Sequence, residues 1–155
     1  MARIRFAPAV AVLTFLLCGC GGPSATARFA AKVNALCAST NRQLGAIATP
    51  GKAVAGTPAA LLAKQAALVA AEVPIDEAEM RKRGSLNAPG SERPAYDDAV
   101  AEARSDVALL PTIEAALGGK STAGLTAIKE QSSALSDIAV AGMKRLGLGQ
   151  CARNL

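Results

Sequence analysis

Four cysteines fall into two unequal groups, and their placement limits this chain more than any other feature. Cys18 and Cys20 close an apolar N-terminal run, while Cys37 and Cys151 lie 114 positions apart, near the two ends of the remaining chain. The residues between them have the composition of a helical chain. Ala supplies 36 of the 155 residues, apolar residues make up 51% and aromatic residues only 3%. Ala is the strongest helix former, and a core short of large side chains buries modest area. There is no His and no Trp. That excludes Ser–His and Cys–His nucleophilic catalysis, His metal ligands and the Glu-x-x-His pairs of di-iron bundles. Three Phe and one Tyr are too few for a base-stacking platform on single-stranded nucleic acid.

Arg3 and Arg5 precede an apolar stretch over residues 7–17, interrupted only by Pro8 and Thr14. A bilayer-crossing helix needs about 20 residues, so this shorter run reads as the h-region of a signal peptide. Leu17-Cys18-Gly19-Cys20 comes next and resembles a bacterial lipobox, with small Gly19 before a Cys20 that is acylated and becomes the new N-terminus. Cys18 stands where Ala, Ser or Thr is commoner. On this reading residues 1–19 are a lipoprotein signal peptide, residues 20–27 a flexible tether starting at lipidated Cys20, and residues 28–155 the helical domain. Gly21, Gly22, Pro23 and Ser24 suit a tether. Several acyl chains on one Cys, palmitate among them, anchor stably where a single chain does not. The expected location is the extracytoplasmic face of the cell membrane. The alternative is simple secretion, with cleavage after Ala25-Thr26-Ala27. Cleavage before Cys20 leaves 15 basic and 12 acidic residues, net +3 over 136 residues, too weak a balance to imply nucleic acid.

Once Cys18 leaves with the signal and Cys20 is acylated, Cys37 and Cys151 remain in an oxidising compartment, and a disulfide between them is the default. The competing reading is two separate buried thiols. The bridge would close a loop of about 115 residues, which the chain-entropy relation values at roughly 4–5 kcal/mol.

The rest predicts four helical segments and no strand of useful length. Over residues 26–48, Phe29, Val33, Leu36, Cys37, Thr40, Leu44 and Ile47 recur at spacings of three and four. The second segment opens at Thr57-Pro58, an N-cap followed by Pro at the first helical position. It carries Leu61, Leu62, Gln65, Leu68, Val69 and Glu72, and it stops near Val73 because Pro74 disfavours continuation, with a further turn or two over residues 75–83. Residues 84–94, rich in Gly and Pro, read as a loop. The third segment runs from Pro94 to Leu117 with a kink expected at Pro111. The fourth is capped by Ser121 or Thr122 and ends in Lys144, Arg145 and Gly147. The expected fold is all-α: an antiparallel up-down four-helix bundle closed by one disulfide, preceded by a signal peptide and tether.

The stretch Phe29-Ala30-Ala31-Lys32-Val33-Asn34-Ala35-Leu36-Cys37-Ala38-Ser39-Thr40-Asn41, with the tail Gly147-Leu148-Gly149-Gln150-Cys151, resembles small secreted helical lipoproteins of actinobacteria, a family of uncharacterised function. An early aromatic, a Cys with Asn four residues on, and a C-terminal Gly-Leu-x-x-Cys pattern carry the resemblance. It implies a helical, disulfide-closed envelope protein, and it supplies no catalytic residue.

Two acidic groups are candidates for general acid–base chemistry: Asp76, Glu77 and Glu79 after Pro74, and Asp97, Asp98 and Glu102 at the start of the third segment. The simpler reading is that acids near helix starts complement the dipole. Arg81-Lys82-Arg83, a basic run beside the Gly/Pro loop, reads as a solvated loop or as a contact to anionic headgroups. Asn41 is expected to hold the returning tail, a structural duty. Gly118-Gly119-Lys120-Ser121 lacks the upstream Gly and strand of a P-loop. The sequence therefore points to no catalytic residue, metal or cofactor. It points to a membrane-anchored, non-catalytic binding or structural module of the cell envelope, partnered by the membrane and by an envelope protein or apolar ligand. The alternative is a carboxylate-dependent enzyme acting on the cell wall.

Overall fold

The structure, a computed structural model, describes residues 22–47, 57–119 and 125–153, and all regular structure among them is helical. The signal segment, Cys20, the Thr49-Pro50-Gly51 link and the expected cap at Ser121 or Thr122 lie outside the described residues.

Helix α1 (Ala25–Ile47) opens three residues before the expected domain boundary at residue 28. Ser24 explains the early start: its Oγ accepts from Ala27 N at 3.1 Å, satisfying one of the amides a helix start leaves bare. The face that α1 buries is Phe29, Val33, Cys37 and Thr40, at the helical repeat.

Helix α2 (Pro58–Gly84) begins with the anticipated Thr57 cap, whose side chain accepts from Ala60 N. It does not stop near Val73. It runs through Pro74 for ten more residues, although an interior Pro costs about 3 kcal/mol of helix propensity. The second half carries buried Glu79, Met80 and Arg83, and tertiary packing of such a face outweighs local propensity.

The third segment is two helices rather than one kinked rod. Helix α3 (Arg93–Val107) is followed by a turn at Ala108 and Leu109, then by α4 (Leu110–Gly118). Pro111 sits at the start of α4, where a missing N–H has no intrahelical partner to lose. Thr112 N and Ile113 N both donate to Leu109 O at 3.0 Å.

Helix α5 (Leu125–Arg145) ends where Gly147 adopts φ 71°. Leu148 N donates to Met143 O at 2.8 Å and Gly147 N to Lys144 O at 3.0 Å. These are the two bonds of a Schellman closure, and its usual apolar contact is supplied by the fully buried Met143 and Leu148. Gly147 thus turns the chain back, and a short 3-10 turn (Cys151–Arg153) meets α1. Cys37 and Cys151 are bonded there, with Cα atoms 5.0 Å apart.

Helix α2 packs against α1, α3 and α4, and α3 lies along α5. The α3–α5 approach is close because its residues are small: a Cβ on Gly142 would come within 2.9 Å of the Ala99 Cβ. One apolar cluster joins Phe29, Val33, Tyr96, Val100, Met143 and Leu148 around the disulfide, and a second joins Met80, Ala103 and Ala139.

Candidate functional site

On α2 the charged residues Glu72, Asp76, Glu79 and Arg83 repeat at spacings of four, three and four. That is the period of one helix face, and here the face turns inward. It lines a cleft of about 380 Å³, with Asn41, Leu44 and Gly45 of α1 on one side and Asp106, Val107 and Leu110 of the α3–α4 junction on the other.

At its floor Arg83 and Glu79 are 3% and 4% exposed and form an ion pair through Nη2 and Oε1. The Tyr96 hydroxyl donates to the Arg83 carbonyl at 3.1 Å, and burial pushes that phenol up to about 12. Arg83 Nε and Nη1 are buried without a hydrogen-bond partner, and a buried N–H left unpaired costs about 1–3 kcal/mol, more on a charged group. Burial, reinforced by the charges of Glu79 and Glu72, raises the Asp76 carboxyl to about 6, against the opposing pull of Arg83. Burial also raises Glu72. It raises Asp106 as well, opposed by a hydrogen bond from the Ser132 hydroxyl of α5. The cleft thus holds one cation against four carboxyl groups, three of them raised by burial.

Of the candidates marked by sequence, Asp76 and Glu79 enter the cleft. Glu77 faces outward and pairs with exposed Arg81 at 3.6 Å. Asp97 and Asp98 are exposed on α3, and Asp98 and Glu102 line a separate depression between α3 and α5 with Arg145. Arg81-Lys82-Arg83 is not a loop. It forms the last turn of α2, and Arg83 is buried rather than solvated because Glu79, one turn earlier, neutralises it. Gly118 and Gly119 end α4, and Lys120 and Ser121 fall outside the described residues. Asn41 Nδ2 donates to Gln150 O at 2.9 Å. A second clamp was not marked by sequence: Asn34 donates to Gly147 O and accepts from Gln150 N, both at 3.0 Å. Sequence reasoning also passed over Asp106 and the charge of Glu72. The signal for Glu72 was present, in a charged stripe at the spacing usually reserved for apolar residues. Among the described residues no three acidic or sulfur side chains gather closely enough to hold a metal ion.

Another concavity, between α2, α4 and α5, is mainly apolar, lined by Leu62, Leu68, Val69, Ile113, Leu117 and Leu125, with Glu72 and Lys129 also in its wall. The most apolar 18 residues of α2 have a mean hydropathy of 1.3, enough by length and composition to cross a bilayer, and none of them is fully buried.

Comparison with protein-family models, with curated proteins and with solved structures finds no match.

Proposed function

We propose that the protein is a lipid-anchored, extracytoplasmic binding module of the cell envelope, non-catalytic, in which an up-down bundle stapled at one end presents a polar cleft to a small ligand. One observation carries the reading: a guanidinium 97% removed from solvent lies in the wall of a cleft, with Nε and Nη1 lacking acceptors. Folds rarely bury such a group without a use for it. Four carboxyl groups and a guanidinium in the lining favour a charged ligand over an apolar one. The leader with its lipobox-like Leu17-Cys18-Gly19-Cys20 and the resemblance to actinobacterial lipoproteins support the anchor. Intact mass of membrane-fraction protein, before and after reduction, tests it: acylation adds mass at Cys20, and reduction adds two hydrogens at the bridge. Native mass spectrometry of the same sample tests the cleft by reporting a co-purifying small molecule.

A second reading, a carboxylate-dependent enzyme acting on cell-wall glycans, is favoured by Asp76, whose raised value of about 6 suits a general acid. Under it, Asp76→Asn would abolish an envelope phenotype while leaving ligand retention intact.

A further inference from the structure

Resting on the cleft as a ligand site, we infer that its occupant is a small zwitterion, an amino acid or short peptide, with its carboxylate on Arg83 and its ammonium group among Glu72, Asp76 and Asp106. Two opposite demands exist within one cavity. Arg83 is a buried donor with Nε and Nη1 unpartnered, and a guanidinium in that state is completed best by a carboxylate or similar oxyanion. A simple anion, however, would sit among Glu72, Asp76, Glu79 and Asp106, and only Arg83 among the lining residues offsets them. Like charges at this range in a partly dry site repel strongly. A simple cation satisfies the carboxylates and leaves the Arg83 donors bare. A molecule carrying both charges a few bonds apart meets both demands.

The layout matches that polarity. Glu79 and Arg83 are sealed at 4% and 3% exposure, whereas Glu72, Asp76 and Asp106 are half-buried. The carboxylate end would therefore lie deeper and the ammonium nearer the rim. At about 380 Å³ the cleft stands at the small end of ligand pockets, which span about 300–1,000 Å³, so a dipeptide is near the upper limit of size.

Titration calorimetry of the intact, disulfide-closed protein at neutral pH separates the cases with three probes: L-Ala-L-Ala, its N-acetyl form and its C-terminal amide. The free dipeptide is expected to bind at least about tenfold more tightly than either capped form, the order of effect for one lost charge contact. In Asp76→Asn the gap between the free and N-acetyl forms should shrink. Because Arg83→Met alone leaves Glu79 buried and unpaired, the double variant Arg83→Met/Glu79→Met keeps the floor neutral and should erase the gap between the free and amide forms. Equal binding of a capped and an uncapped probe overturns the inference. Tight binding of the amide alone overturns it while leaving the cleft a ligand site. No binding by any probe also overturns it, and if native mass spectrometry finds no co-purifying molecule the ligand-site reading falls with it.

Discussion

The stapled region of the molecule and the cleft share the helices α1 and α3 yet follow opposite rules. Around Cys37–Cys151 every contact is apolar or satisfied: Phe29 meets Tyr96 edge-on at 4.9 Å, Met143 and Leu148 are fully buried, and Asn34 and Asn41 bind the backbone of the returning tail. On α2, Glu72, Asp76, Glu79 and Arg83 occupy positions where helix periodicity would put Leu or Ile, and the surrounding helices leave a cleft. The contrast teaches where stability and chemistry are kept. A chain with few aromatics gathers its large side chains around its covalent link, and the surplus there tolerates unfavourable charge in the adjoining cleft.

The largest expected effect is at the staple. Replacing both Cys37 and Cys151 with Ser should lower unfolding free energy by about 4–5 kcal/mol on the chain-entropy relation, read from urea melts. A loss below about 1 kcal/mol would mean that the apolar cluster alone holds α1 and the tail. Next comes the floor of the cleft: Glu79→Gln leaves Arg83 buried and unpaired and should cost about 3–5 kcal/mol, while the double replacement by Met should recover most of it. Equal damage from the single and double variants would show the ion pair to be a net source of stability, erasing the contrast. Glycines sharpen it further. Gly142→Val forces the α3–α5 approach apart, since even a Cβ would meet Ala99 at 2.9 Å, and should cost about 1–3 kcal/mol. Gly45→Ala at the cleft rim meets nothing within 4 Å and should raise stability by about 0.5–1 kcal/mol.

The smallest effect depends on pH. Asp76 binds its proton more readily folded than unfolded, with a value of about 6 against 3.8. The native state therefore loses stability as pH rises from about 3.8 to about 6, and above 6 the penalty is complete and constant. Asp76→Asn should raise the melting point at pH 7.5, by an amount on the order of 1 kcal/mol after allowance for partial exposure, and change nothing near pH 4. A gain that persists at low pH would point to packing instead of charge.

The helical class and the Cys37–Cys151 bond were legible because each rests on a strong signal: periodic apolar residues in an Ala-rich chain, and two cysteines left over once the leader-like Cys18 and Cys20 are set aside. Pro74 and Pro111 misled in opposite directions, since a proline's effect depends on whether packing beyond it repays continuation. Glu79, Met80 and Arg83 do so after Pro74, whereas after Val107 the chain finds a better solution in restarting with Pro111 in its first turn. The cleft was harder to read. Asp76 and Glu79 look like dipole-compensating acids until α2 is known to run unbroken, and only then do residues 72, 76, 79 and 83 fall on one inward face. Asp106 comes from another helix and could not be placed before the topology was known, whereas Asn34, three residues before Cys37 on the same side of α1, was as legible as Asn41.

Helix α1 is also a ruler. It is continuous from Ala25 to Ile47 and rises about 1.5 Å per residue, so Asn41 and the cleft mouth lie roughly 24 Å from its first residue. On the proposed anchor at Cys20, five residues before α1, that rigid length would act as a stand-off, carrying the cleft up to that distance from the headgroup layer.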